Sequence, residues 1–342
     1  MMNTLRVLAL LLVAAPLAGP AQQLKPNEIP TNLPGVTTVL APPEGFDPIA
    51  ASDEDLAYYG FPPRPDRTLD EEQFQHWAKA MKASKKRIIP TLKEGPRAFG
   101  PARLHQNLKS KADDTTQWTA DTWSGYIHVD DVKKYGKSSM WYVMSDFIVP
   151  VANQAFNECT GNTDIAGSWV GIDGYDSVGL LQSGIEYDAY CNGGATSTNY
   201  AVWYEWFPNN QVYVTNFPIS PGDDFLVEVW NSSATQGYAY IVNYTAGFAT
   251  EVSFSAPAGY GIIGDSADWI IEAPGGRTLT NYIAEPFFYA SAATFSGKKV
   301  DPGDSIQIIQ VDAQGNPISF PTLLGTKAFL MQDEGSAYQP QQ

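Results

Sequence analysis

Histidine and cysteine are scarce in this chain, three and two among 342 residues. Beyond residue 112 the only histidine is His128. A serine–histidine–aspartate site in the larger part of the chain would have to use it, and no GxSxG elbow accompanies any serine. His128 sits in "SGYIHVDD", beside Asp130, and reads as a surface residue of a strand. A thiol nucleophile would need Cys159 or Cys191 free beside a histidine, which export makes unfavourable. No CxxC or HExxH spacing occurs, so no metal site is legible. The paired DTG-like or DSG-like loops of aspartic peptidases are missing as well; "GIDGYDS" supplies neither. Basic residues thin out along the chain. Residues 1–112 hold 14 Lys+Arg against 11 Asp+Glu, whereas residues 113–342 hold 7 against 26, which together give the net charge of −16. That balance argues against nucleic acid as a partner. It also leaves few permanent charges to repel one another once carboxylates protonate, which favours survival of the fold in acid. After residue 21 no apolar run is long enough to cross a membrane, and none is expected to.

The chain opens on "MMNTLRVLALLLVAAPLAGPA". Arg6 supplies the charge, Val7 to Val13 the apolar core, and Gly19 and Ala21 the small residues of a cleavage site. Residues 1–21 therefore read as a signal peptide cleaved after Ala21, and the product as secreted: extracellular, or periplasmic in a Gram-negative host. In an exported chain Cys159 and Cys191 read as a disulfide, with two free buried thiols as the alternative. Closing that loop would stabilise the fold by roughly 4 kcal/mol. Residues 22–67 are rich in proline and polar residues and read as loosely ordered. A helix is expected over 68–83, with Thr68 and Glu71 as a capping box and Phe74, Trp77 and Met81 on one face. From about Asp113 the character is all β: more than ten short alternating segments separated by Gly, Pro, Asn and Asp turns, with no helix signal between them. That pattern predicts a sandwich of two large antiparallel sheets, of concanavalin A-like or jelly-roll type, over residues 116–342. A basic segment ahead of an acidic domain predicts a pro-segment over 22–115. It would lie on an anionic cleft at neutral pH and be loosened as carboxylates protonate. A linker or cell-surface spacer is the other reading. "NSS" at Asn231 and "NYT" at Asn243 are glycosylation acceptors if the host glycosylates exported proteins.

With histidine, thiol and metal chemistry set aside, carboxylates remain. Most are ordinary solvated surface. Those set among apolar or aromatic residues are Asp173, Glu186, Glu205, Glu228 and Glu272. In "VGLLQSGIEYDAY" a glutamine, Gln182, stands where further apolar packing is expected, and a buried amide without partners costs about 1–3 kcal/mol. Side chains alternate along a strand, so Gln182, Glu186 and Asp188 share a face, as do Asp268, Ile270 and Glu272. A carboxyl flanked by Trp269 and Ile271 would be partly desolvated and its pKa raised, as suits an acid–base group.

Five segments in order, "WSGYI", "GSWVGIDG", "LLQSGIEY", "YAVWYEWFP" and "ADWIIEAP", resemble the glutamic peptidases, the eqolisins. The resemblance covers about Trp118 to Gln342. It implies a β-sandwich, export, a pro-segment that acts as an intramolecular inhibitor, acid endopeptidase activity on polypeptide substrates, a monomer, and no metal or cofactor. It places the catalytic pair on Gln182 and Glu272, with Trp169, Asp173, Glu186, Trp203 and Glu205 lining or supporting the cleft. Glu186 departs from the family, which usually has aspartate there. In the implied mechanism Glu272 takes a proton from water and Gln182 donates a hydrogen bond to the developing oxyanion. Two other classes stay open. A β-sandwich glycoside hydrolase would use two carboxyls and stack sugars on Trp169, Trp203, Tyr204 and Trp206, but here the partner of Glu272 is an amide. A non-catalytic lectin-like binding module would have no need of the Gln182 and Glu272 pair or of a pro-segment.

Overall fold

The computed structural model describes residues 24–334 apart from 85, 97–98, 102–103, 107–116, 131, 133–134, 156–158 and 160. The expected signal peptide and the last part of the expected pro-segment, 107–115, lie outside the described residues. Two β-layers form the body. In the first, Leu180–Asn192 is central, antiparallel to Thr163–Asp173 on one side and Ala195–Phe207 on the other. Ser266–Glu272, Trp123–Val129 and Ile306–Val311 extend it beyond Thr163–Asp173; Val212–Val214 and then Leu92–Glu94 extend it beyond Ala195–Phe207. The second layer runs Phe248–Ser255, Gln236–Asn243, Asp224–Ser233, Met140–Ile148, Ala284–Thr294, Ala328–Asp333. Pro317–Gly325 pairs with both Ala328–Asp333 and Ile306–Val311 and so joins the layers along one edge. Two short pairings are parallel, Lys86–Arg87 on Phe248–Ser255 and Gln117–Ala120 on Ile306–Val311.

The period-two pattern decides which side chains meet between the layers. Leu181, Ile185 and Tyr187 point inward with Val170, Trp269 and Ile271, against Val143, Phe147, Val227 and Ile241 of the second layer. The alternate residues, Gln182, Gly184 and Glu186 with Trp169, Trp203 and Glu272, are left on the outer face of the first layer. The second layer's outer face is apolar too, with Tyr142, Met144, Leu226, Trp230, Tyr240 and Val242.

The N-terminal region covers both outer faces, which corrects the expectation of loose order over 22–67. Glu28–Pro30 and Val36–Val39 pair with each other, and Val36–Val39 adds to Phe248–Ser255. Helices α1 (Asp53–Tyr58) and α2 (Glu71–Ala83) lay Leu56, Phe74, Trp77 and Met81 on the second layer. Asp70, not Thr68, caps α2: its side chain accepts from the Gln73 N–H at 2.9 Å, while the Thr68 hydroxyl donates to Asp66 at 2.7 Å. His76 of α2 places Nε2 2.8 Å from Asp146 Oδ2 in a buried pair.

Cys159 and Cys191 form a disulfide with Cα atoms 4.9 Å apart, which pins a loop to the end of Leu180–Asn192. His128 is buried rather than on the surface, with Nδ1 3.1 Å from the Asp304 carbonyl. Asn231 and Asn243 are buried and hydrogen-bonded, Asn231 to the Tyr135 hydroxyl and Asn243 to Asp223, so the folded chain offers neither for glycosylation. Among the described residues no helix is long and apolar enough to cross a membrane.

Candidate active site

Four adjacent strands build the outer face of the first layer into a groove. Gly167 and Gly171 of Thr163–Asp173 and Gly184 of Leu180–Asn192 put no side chains there, so the taller residues around them become walls. Gln182 lies directly across from Glu205 on one side and Gly171 on the other; Glu272 lies across from Gly167. Trp169 packs edge-on against Trp123, ring centroids 4.8 Å apart, between these two positions. Gln182, Glu205 and Glu272 are all buried, because a segment of the chain's own N-terminal region lies across them.

That segment is Phe99–Gly100. The Gln182 side-chain Nε2 donates to the Phe99 carbonyl at 2.6 Å, and the Gly100 N–H donates to Glu272 Oε1 at 3.3 Å. The two side chains therefore meet opposite ends of one peptide group. Glu205 Oε2 accepts the Phe99 N–H at 2.9 Å, and the Trp123 indole N–H donates to the Gly100 carbonyl at 3.1 Å. The Phe99 ring stacks face to face on Trp203, centroids 4.5 Å apart and planes 6° from parallel. Gly167 makes room for it, since a Cβ there would lie 2.6 Å from the ring.

Burial pushes the Glu272 carboxyl well above the usual carboxylate range; the Gly100 N–H and the indoles of Trp123 and Trp169 work the other way. Glu205 is raised too, mainly by burial, with the Phe99 N–H opposing and the Glu272 charge adding to the rise. Among the described residues Gln182 Oε1 and Glu272 Oε2 are buried without a hydrogen-bond partner.

The other expected site residues are distributed around this centre. Trp203 and Glu205 touch Phe99. Glu186 accepts from Gln211 Nε2 at 2.7 Å and from the Tyr213 hydroxyl at 2.9 Å, bracing the strand beside Ala195–Phe207. Asp173 is remote from Phe99–Gly100 in its bonding. It takes φ +74° at a strand end and accepts three backbone N–H bonds, from Ile263, Gly264 and Asp265, so it anchors the loop that leads into Ser266–Glu272. Trp269 and Ile271, expected to desolvate Glu272, point into the sandwich core instead; the desolvation comes from Trp123 and the Phe99–Gly100 segment. Trp123, Gln211 and Gly167 were not legible as site residues. "WSGYI" pointed to Trp123 only as part of a shared pattern, and a glycine in a strand is a signal of close approach that gives no hint of what approaches.

A family model described as the Peptidase A4 family matches residues 121–329. Aspergillopepsin-2 of Aspergillus niger is 29% identical over 164 residues, 47% of this chain and 56% of that protein. Scytalidopepsin B of Scytalidium lignicola is 34% identical over 130 residues, 37% of this chain and 47% of that protein. The chain thus spans about half the length of these curated relatives. A crystal structure of scytalido-glutamic peptidase with a transition state analog inhibitor superposes with a TM-score of 0.52 at 24% identity, covering 62% of this chain and 98% of that one. At that identity the likeness is one of fold.

Proposed function

The chain belongs to the Peptidase A4 family, and from that premise we propose that it is an exported acid endopeptidase whose catalytic pair is Gln182 and Glu272. The observation that carries the reading is the capture of one peptide group by both side chains, the carbonyl by Gln182 and the amide nitrogen by Glu272. A polypeptide substrate would take the place of Phe99–Gly100. Glu272, ionised once water reaches it, removes a proton from a water held near the free oxygens of the pair. The water oxygen adds to the scissile carbonyl carbon, and the Gln182 amide donates to the oxygen as it gains charge. Glu272 then passes its proton to the leaving nitrogen, which it already faces. An amide suits the oxyanion role in acid because it does not titrate.

Residues 1–21 serve as signal peptide, 22–115 as pro-segment and intramolecular inhibitor, and 116–342 as the catalytic sandwich of a monomer. The family match supports this division, since it begins at residue 121. Inhibition is supported by Leu92–Glu94, which adds as a strand beside Val212–Val214, and by Phe99–Gly100 filling the groove. With the segment seated, burial disfavours the charged form of Glu272, the form that acts as a base, until water reaches it. The test is digestion of casein beside xylan and β-glucan at about pH 4, a pH that suits a carboxyl base. Casein alone should be cut, and Glu272→Gln should cut none of the three. Polysaccharide cleavage, or casein cleavage by the variant, would overturn the reading.

A further inference from the structure

The segment that blocks the groove lies there the way a substrate would. We propose that Phe99–Gly100 is a bond the enzyme hydrolyses in itself, with Phe99 on the acyl side and Gly100 on the amine side. The inference rests on the reading of Gln182 and Glu272 given above. A peptide that merely blocked the groove would need only to fill it. Here the carbonyl of one peptide group sits on the proposed oxyanion donor, and the nitrogen of the same group faces the proposed proton donor. Bonds on either side fix the register: the Phe99 N–H to Glu205 and the Gly100 carbonyl to Trp123. A shift by one residue in one direction would put Pro101, which has no N–H, opposite Glu272, and the side chains discriminate against other placements.

The side chains fit as well. The Phe99 ring fills a slot between Trp203 and the bare backbone at Gly167. On the other side of the bond the space is narrow, for a Cβ on Gly100 would come within 3.1 Å of the Phe207 ring. The same contacts define a specificity for external substrates: an aromatic residue before the scissile bond and a small one after it.

In the reaction the oxygen of one water molecule bonds to the Phe99 carbonyl carbon and one of its protons passes to Glu272. The C–N bond to Gly100 breaks, and the Gly100 nitrogen leaves with the proton from Glu272. The products are a Phe99 carboxyl terminus and a free Gly100 amine. Reactants held in one chain need no encounter, so the rate per molecule is independent of concentration.

The full chain, purified near neutral pH, is brought to about pH 4, where a solvated carboxyl is partly ionised. The products are read by denaturing mass spectrometry and N-terminal sequencing, with casein digested in a parallel sample. Denaturing conditions are needed because α1 and α2 hold the N-terminal fragment on the second layer. A new terminus at Gly100, absent from Glu272→Gln and unaffected by about a hundredfold dilution, is the expected result. Phe99→Leu should keep the cut and Gly100→Pro, which removes the N–H that faces Glu272, should abolish it. Casein digestion with the Phe99–Gly100 bond intact would overturn the inference and leave the peptidase reading standing. Cleavage of that bond in Glu272→Gln would also overturn it. Failure to cut either casein or the chain itself would overturn both.

Discussion

Gln182 and Glu205 face one another across adjacent antiparallel strands, and each holds the backbone of Phe99, Gln182 through the carbonyl and Glu205 through the N–H. The amide therefore comes to the carbonyl already positioned by the strand pair. Removing a single oxyanion donor costs on the order of a hundredfold to a thousandfold in kcat. Gln182→Ala should show a loss of that size with kcat falling more than KM rises. Gln182→Glu should be nearly as poor, because the amide N–H is replaced by a group that can donate only while protonated and that repels the charge of Glu272 when ionised. Steady-state kinetics on a chromogenic peptide with Phe before the scissile bond would check both. Retention of near-normal kcat in both variants would remove Gln182 from the mechanism.

Glu272→Gln keeps size and shape but cannot carry the proton. The carboxyl it replaces is fully buried, and burying an ionisable group costs free energy that a neutral amide largely avoids. The variant should fold with a melting temperature equal to or above that of the parent while losing at least about a thousandfold in activity, the scale of a missing acid–base group. Differential scanning calorimetry beside a peptide assay tests the pair of expectations; a large drop in melting temperature would mean that the residue is structural.

Much of this was legible in the sequence, for particular reasons. The alternation in "LLQSGIEY" put Gln182 with Glu186 on one face and that in "ADWIIEAP" put Glu272 with Asp268 on another, but only the resemblance to the glutamic peptidases brought Gln182 and Glu272 together. The pairing of strands from distant parts of the chain could not. It is the register of Glu272 against Gly167 and of Gln182 against Glu205 that sets them around one groove. Asp173 shows what the sequence left open: it was expected to line or support the cleft, and its partners, backbone N–H groups of residues 263–265 in the loop leading into Ser266–Glu272, depend on tertiary structure. The N-terminal region misled for a similar reason. The proline-rich composition of 22–67 suggests weak local order, but Leu56 and Phe61 are ordered by the apolar outer face they cover, and local propensity gives no sign of that face.

The slot for Phe99 predicts a change of specificity. Gly167 has an extended backbone within a strand, so a β-branched residue there meets no conformational penalty. Its Cβ, however, would stand 2.6 and 2.8 Å from two atoms of the Phe99 ring. Gly167→Val should lower kcat/KM for peptides with Phe before the scissile bond by about tenfold to a hundredfold relative to those with Ala. Competitive digestion of a mixed peptide pool would measure the ratio directly. An unchanged preference for Phe would show that the ring of a substrate goes elsewhere.

The buried acids predict that acid strengthens the docking of the N-terminal region, against the sequence-based expectation that acid loosens it. Beneath the N-terminal region, Glu228 and Glu251 are each pushed by burial to about 8, from an ordinary 4.5. Burial likewise takes Asp224 to about 6. Within the sandwich Glu285, bonded to Ser168 and Tyr187, is raised to about 8. A carboxyl raised in the folded state binds its proton there while the unfolded chain has released it, so stability falls as pH rises from the unfolded value toward the folded one. The affected window is therefore from about 4.5 to about 8. Each pKa unit of difference corresponds to about 1.4 kcal/mol for that group. Asp70 works in the opposite direction: although burial tends to raise it, the Gln73 N–H and Lys327 hold it below the ordinary value, so its contribution is lost in strong acid. It is partly buried at the head of α2, and the solvent that reaches it weakens that contribution. With the uncleaved Glu272→Gln variant, to prevent self-digestion, the melting temperature at about pH 5 should exceed that at about pH 8 by on the order of 10 °C. Replacing Glu228 and Glu251 together by glutamine should flatten that slope. A melting temperature that rises from pH 5 to pH 8 would mean that these carboxyls ionise freely beneath the N-terminal region.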